Sequence, residues 1–208
     1  MDNQRLLSIC IPIYNRIAYL DRMLARFLED KNLFQKQIQL YISDNCSTED
    51  VHGVTQHYAD LGLNLTYHCN ESNLGMDGNF INCFNHANGK YVWLLGSDDI
   101  PVKGFLQDLL NVLEENDYGL LHVKNIELKH SIQLVNYDDS NKLLEDIYVW
   151  ITFISGNIVK RENLYSVNLD KYRGTFISQV PFYLYSALTS PQSAIRSEEH
   201  TSELQSPD

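Results

Sequence analysis

Two adjacent carboxylates, Asp98 and Asp99, follow the apolar run Tyr91-Val92-Trp93-Leu94-Leu95, with Gly96 and Ser97 between. Aromatic, β-branched and aliphatic residues in such a run read as a short strand buried on both faces. A buried strand that breaks into Asp-Asp carries negative charge to the carboxyl edge of a sheet, where open α/β folds bind ligands. Two carboxylates side by side repel unless a cation sits with them. Hard divalent ions such as Mn²⁺ or Mg²⁺ take oxygen ligands and often use only one or two protein carboxylates, the rest coming from water and substrate phosphates. The same pair would also serve as a solvated turn that caps the helix after Ile100 and Pro101 and favours its positive N-terminus. Both readings stand on these residues alone.

The elements that must position this pair are legible upstream. Leu6 to Ile13 is nearly all apolar, the mark of an interior parallel strand. Pro12 near its end lacks an N–H, so pairing should finish there on one side. After the turn Tyr14-Asn15-Arg16, a helix carries Ile17, Leu20, Met23, Leu24, Phe27 and Leu28 on one face. Gln37 to Ser43 alternates as a second strand and ends in the polar turn Asp44-Asn45-Cys46-Ser47-Thr48, which caps a helix bearing Val51, Val54, Tyr58 and Leu61. Leu63 to Tyr67 reads as a third strand by period two. Asn70 to Gly75 is a loop of turn formers, and the helix with Phe80, Ile81, Phe84 and Ala87 stops at Asn88-Gly89. A helix with Phe105, Leu106, Leu109, Leu110 and Leu113 leads to a strand at Gly119–Val123. Strand and helix alternate at βαβ spacing, which predicts a twisted parallel sheet.

Beyond residue 125 the pattern thins. Asp138–Lys142 reads as a polar loop, Leu143–Trp150 as a short helix, and Phe153–Val159 as a strand broken at Gly156. Lys160 to Asn163 opens a helical turn. The aromatic-rich stretch Gly174–Leu188 turns helical after Pro181 and either closes over the sheet or walls an acceptor sugar.

The chain has 208 residues, 44% of them hydrophobic and 11% aromatic, enough for one α/β domain with a sizeable core. A formal charge of −11 and the lack of any Lys/Arg cluster argue against a nucleic-acid partner. Cys10, Cys46, Cys69 and Cys83 lack zinc spacing and read as reduced, mostly buried thiols of a cytoplasmic protein. No stretch approaches the ~18 apolar residues of a spanning helix. Residues 196–208 resemble the in-frame translation of a sequencing adapter. That implies a non-native, disordered tail on a chain cut near Ile195, with its own C-terminus missing.

Four patches, in order, resemble the family 2 glycosyltransferases: Ser8–Arg16, Ile42–Thr48, Asn73-Leu74-Gly75 and Ala87–Ile100. The last is similar in wording to bacterial abequosyltransferase-like members that build O-antigen. The resemblance implies a GT-A fold: an α/β sandwich with a mostly parallel central sheet flanked by helices. It further implies one domain over 1–195, with a nucleotide-sugar half at 6–125 and a truncated acceptor half at 126–195. On the same basis Pro12 and Tyr14 shape the base pocket, Asp44 accepts a hydrogen bond from base or ribose, and Asn15, Asn73, Gly75 and Ser97 lie against the nucleotide-sugar. Asp99 holds the metal, with Asp98 as an auxiliary ligand or sugar contact. Ser97 stands where the family often has the first Asp of a D-x-D motif.

The implied reaction is inverting transfer of a sugar from a nucleotide-diphosphate donor to a glycan or lipid-linked acceptor. That acceptor implies peripheral attachment at the inner membrane face. Acceptor deprotonation needs a general base, which the family takes from an acidic pair before the last core helix. Here that region, Phe176–Pro181, has no carboxylate. Asp170 and Glu162 are the nearest acids, with Asp138 and Asp139 behind them. Two other functions compete: a catalytically inactive or truncated nucleotide-sugar-binding domain, and a sugar nucleotidyltransferase. The latter would want glycines after the first strand, where Ile13-Tyr14-Asn15-Arg16 has none.

Overall fold

The apolar run at the N-terminus forms β1 (Leu7–Ile13), and α1 (Ile17–Glu29) and α2 (Lys31–Lys36) carry the chain to β2 (Ile38–Asp44). Then come α3 (Val51–Asp60), β3 (Thr66–Cys69), α4 (Gly75–His86), β4 (Tyr91–Leu94), α5 (Phe105–Glu115) and β5 (Leu120–Val123). The second half supplies β6 (Ile132–Tyr137), α6 (Ser140–Ile147), β7 (Asn157–Lys160), α7 (Val180–Thr189) and β8 (Ser193–Glu198). Short 3₁₀ turns at Tyr148–Thr152, Ile154–Gly156, Arg161–Ser166 and Leu169–Tyr172 connect α6, β7 and α7. The computed structural model describes residues 5–124 and 132–198.

The strands form one sheet in the order β3-β2-β1-β4-β7-β5-β8-β6. β1 to β4 are mutually parallel, β5 pairs parallel with β8, and β7 and β6 run antiparallel to their neighbours. The pleat sorts the core into two layers, as period two requires. Leu7, Ile9 and Ile11 of β1 and Trp93 of β4 join α1 and α5 on one face; Cys10, Val92 and Leu94 join α4 and α7 on the other. This is an α/β sandwich with a mostly parallel central sheet flanked by helices, as the resemblance implies.

Several elements differ from the sequence expectation. β3 starts at Thr66 rather than Leu63, because the Leu63 N–H is spent on Tyr58 O, closing the C-terminus of α3. α6 starts at Ser140, inside the expected polar loop, because the Asp139 side chain caps the Asn141 N–H. It ends at Ile147, where Tyr148 takes φ 43°. β6 had no sequence signal. β8 runs to Glu198, three residues past the expected boundary at Ile195, and Arg196 is buried with its guanidinium 4.3 Å from the Phe105 ring. Residues 199–208, the rest of the expected tail, lie outside the described residues. The thiols divide evenly: Cys10 and Cys83 are buried, Cys46 and Cys69 exposed, all unbridged. No helix among the described residues is long and apolar enough to cross a membrane.

Candidate active site at the carboxyl edge of three parallel strands

The pairing of β1 sets the geometry. Against β2 it holds register from Leu7↔Ile38 to Ile13↔Asp44, but against β4 only from Leu7↔Tyr91 to Cys10↔Leu94. The last bond on that side is Leu95 N–H to Cys10 O, 2.9 Å. Pro12 falls in the unpaired part, as its missing N–H requires. Beyond Cys10 the ladder between β1 and β4 stops, and the turns leaving β1, β2 and β4 share one edge.

At the end of β4 the turn closes with Asp99 N–H on Gly96 O, 3.0 Å. Ser155, fully buried, locks it: its hydroxyl donates to Asp99 Oδ2 at 2.5 Å and accepts from the Gly96 N–H at 2.9 Å, while its carbonyl accepts from Trp93 Nε1 at 2.8 Å. Gly96 lies in a cradle of oxygens. A Cβ there would meet Asp99 Oδ2 at 2.9 Å, Asp98 Oδ1 at 3.0 Å and Ser155 Oγ at 3.3 Å. Two carboxylate oxygens and a hydroxyl around one small space make a hard, all-oxygen donor set, which fits Mn²⁺ or Mg²⁺. Among the described residues no group of three His, Cys, Asp or Glu side chains is placed to hold an ion. Further ligands would therefore come from water and substrate phosphate. Ser97 is buried beside the pair.

The turn after β1 reaches the same edge. Asn15 and Arg16 both adopt left-handed backbone, φ 58° and 63°, which throws the chain sharply into α1. Arg16 Nη1 lies 3.4 Å from Asp98 Oδ2, with both side chains at least half in solvent. Asn15 is fully employed in structure: its Oδ1 accepts from the Thr48 and Glu49 N–H groups and its N–H donates to Ser47 Oγ. Glu49 in return caps the Ile17 N–H of α1. Tyr14 stands on the rim, 47% exposed.

Asp44 ends β2 and is only 2% exposed. Its Oδ1 accepts from the Ser47 N–H at 2.9 Å and its Oδ2 from the Tyr67 hydroxyl at 2.7 Å. Burial, then this bond to Asp44, pushes the Tyr67 hydroxyl pKa up. Asn73 accepts from Asn45 Nδ2 and the Gly75 N–H, and Gly75 takes φ 72°, so both shape the entry to α4. Buried amides stand behind them: Asn70 Nδ2 donates to Asn45 and Asn79, and Ser43 Oγ to Asn79.

Neither candidate base is brought to this edge. Glu162 pairs with Lys160 at 2.7 Å, and Lys160 sits opposite Tyr91, the first residue of β4. That is the amino edge, four strand residues from the carboxylate turn. Asp170 is bound to Arg173 Nε at 2.7 Å and lines a cavity with Asn85, Arg161 and Tyr165. Asp139 is a helix cap, and Asp138 is neighbour to it in the same loop. At 176–181 the loop instead wraps Asp77 of α4, which accepts from the N–H groups of Gly174, Phe176 and Ser178. Burial alone would raise the Asp77 pKa, but these donors outweigh it and hold the carboxyl below its ordinary value. Sequence reading missed Ser155 and Asp77, because their partners lie 56 and 97 to 101 residues away.

Residues 8–143 match the sequence profile described as Glycosyl transferase family 2. Abequosyltransferase RfbV of Salmonella typhimurium is 31% identical, over 89% of this chain and 62% of that protein. The GalNAc(5)-diNAcBac-PP-undecaprenol beta-1,3-glucosyltransferase of Campylobacter jejuni is 28% identical, over 56% of this chain and 36% of its own length. The chain thus spans less than two thirds of these relatives. Among solved structures, Staphylococcus aureus TarS 1-349 with UDP-GlcNAc superposes at TM-score 0.71 and 18% identity, over 93% of this chain and 56% of that one. The mannosyltransferase PcManGT of Pyrobaculum calidifontis, with GDP-Man and Mn²⁺, gives 0.61 and 16%, over 85% and 51%. At these identities the likeness is one of fold.

Proposed function

The chain belongs to glycosyl transferase family 2, and from that premise we propose that it moves a sugar, with inversion, from a nucleotide-diphosphate donor to a glycan or lipid-linked acceptor in bacterial surface-polysaccharide synthesis. The carrying observation is the oxygen cradle of Asp98, Asp99 and Ser155 at the end of β4, where the β1–β4 ladder stops. Asp99 and Asp98 would hold a divalent ion, which when bound lowers the cost of negative charge on the departing diphosphate. Ser155 fixes the Asp99 carboxylate. Arg16 brings a cation to the same rim, and its exposed pair with Asp98 is weak enough to exchange for a phosphate. Pro12, Tyr14 and Asn15 shape the base side, with Tyr14 exposed for stacking and Asn15 holding two loops together. Asp44 keeps lone pairs for a ribose or base donor, although both its oxygens already accept once.

The chain to about residue 195 acts as one domain: the nucleotide-sugar half at 6–125, the acceptor half after it. A lipid-linked acceptor, like the one named for the Campylobacter relative, would hold the protein peripherally at the inner membrane face. Calorimetry with UDP, CDP, dTDP and GDP, with and without Mn²⁺, tests the reading. One nucleotide should bind at least tenfold tighter with the ion, and Asp99→Asn should abolish the difference. Metal-independent binding in the wild type overturns it.

A second reading, a nucleotide-sugar-binding domain without turnover, draws support from one observation: no carboxylate replaces the acidic pair at 176–181, and Asp170 and Glu162 lie elsewhere. Its signature is ion-dependent binding without nucleotide release.

A further inference from the structure

On the side of β7 away from β4, a cleft of about 290 Å³ is lined by His122, Val123, Lys124, Asp146, Trp150 and Phe153. His122 lies on the second-to-last residue of β5, opposite Asn157 of β7. Its Nδ1 is 3.0 Å from Asn157 Oδ1. The Asn157 amide has no freedom to flip, because its Nδ2 donates to the carbonyls of Phe153, Ile151 and Trp150 at 2.8, 3.2 and 3.3 Å. Its oxygen therefore faces the ring, so Nδ1 must carry the proton and Nε2 the lone pair. Burial first, and then the charge of Lys124, lower the His122 pKa against the opposing bond from Asn157, which leaves the ring neutral at pH 7. Of the groups around it, Lys124 is on its own strand and Asp146 comes from α6. β7 and β8 present neutral Asn157 and Ile195, and Arg196 turns to the other face over Phe105.

The cleft is wired to the carboxylate turn. Ser155 grips Asp99, and the next residue, Gly156, packs so that a Cβ on it would lie 3.1 Å from His122 Cε1. Trp150 and Phe153, 60% and 42% exposed, meet edge to face at 6.4 Å and offer the apolar wall against which a sugar ring stacks.

We infer that this cleft seats the acceptor sugar and that His122 Nε2 is the general base for its hydroxyl. The inference rests on the transferase reading and supplies the base that Asp170 and Glu162 do not. As the acceptor oxygen bonds to the anomeric carbon, the bond from that carbon to the diphosphate oxygen breaks and its electron pair stays with the diphosphate. The hydroxyl proton passes to Nε2, and the imidazolium then releases it to water.

Three measurements on the full chain test this. In ¹⁵N-resolved NMR, His122 should be Nδ1-protonated, with a titration midpoint below that of an ordinary histidine; an Nε2–H tautomer overturns the proposal. Lys124→Gln, an exposed change, should raise that midpoint and move the acid limb of kcat/KM to higher pH by the same amount; an unmoved limb counts against His122 as the base. His122→Gln should lower the kcat of nucleotide release from UDP-GlcNAc or GDP-mannose, with methyl hexopyranosides as acceptors, by about 10²–10⁴-fold. Its nucleotide affinity with Mn²⁺ should stay unchanged, and a kcat within threefold of wild type overturns the assignment. Of the two tryptophans, Trp93 is fully buried, so fluorescence quenching by the methyl hexopyranosides reports on Trp150. No response to any of them removes the acceptor cleft. Failure of the transferase reading shows separately, as absent nucleotide binding.

Discussion

At the scale of single residues, the site depends on a serine that no motif announces. Ser155 makes a charge-assisted bond to Asp99 and satisfies the Gly96 N–H. Replacing it with alanine strands that N–H and loosens the carboxylate. We expect Ser155→Ala to cost about 1–3 kcal/mol in urea unfolding and to weaken ion-dependent nucleotide binding several-fold. Gly96→Ala should separate the two effects. Its Cβ intrudes between the two carboxylates, so affinity with Mn²⁺ should fall while affinity without the ion holds. Asp98 and Asp99 were legible as a pair because a buried strand must end somewhere, and acid at that end is conspicuous. Where Glu162 and Asp170 fall was not legible for a physical reason: an acid's place in the chain says nothing of which sheet edge it reaches, and here they pair with Lys160 and Arg173.

At the scale of elements, α4 does more than cover the sheet. Asp77 in its first turn holds the segment 174–178 through three N–H groups. Asp77→Ala would leave those donors without a carboxylate and should cost about 3 kcal/mol, with protease cleavage appearing between Arg173 and Gln179. The folded pKa of Asp77 lies below its ordinary value, so its stabilisation is complete above the unfolded carboxylate pKa. It fades as pH falls through the lower folded one. Asp117, held down first by Lys160 and then by Lys90, acts with the same sign. A plot of melting temperature against pH should therefore drop below about pH 4, and drop less in Asp77→Asn. The first half of the fold was readable because its strands are buried on both faces and its helices are amphipathic. β6 and the short 3₁₀ turns were not, since a three- to six-residue segment carries little periodic signal and is shaped by contacts distant in sequence.

At the scale of the molecule, β8 closes the sheet between β5 and β6. A chain ended at Gln192 would strip both strands of a neighbour and uncover Phe105. Circular dichroism on that variant should show loss of the cooperative melt, and a sharp transition would contradict the pairing. The adapter-like wording from Arg196 onward did not predict that Arg196 to Glu198 would be recruited as strand. Ladder pairing uses main-chain groups that every residue other than proline offers, so side-chain pattern alone does not set where β8 stops.

The one-sided end of β1 has a consequence for how such a protein diversifies. The ladder between β1 and β4 cannot continue at Pro12, where no N–H exists to bridge them. The end of that ladder is therefore inherited with the sheet and does not depend on which side chains surround it. Tyr14 and Arg16, exposed on the rim, can thus change without disturbing the pairing beneath.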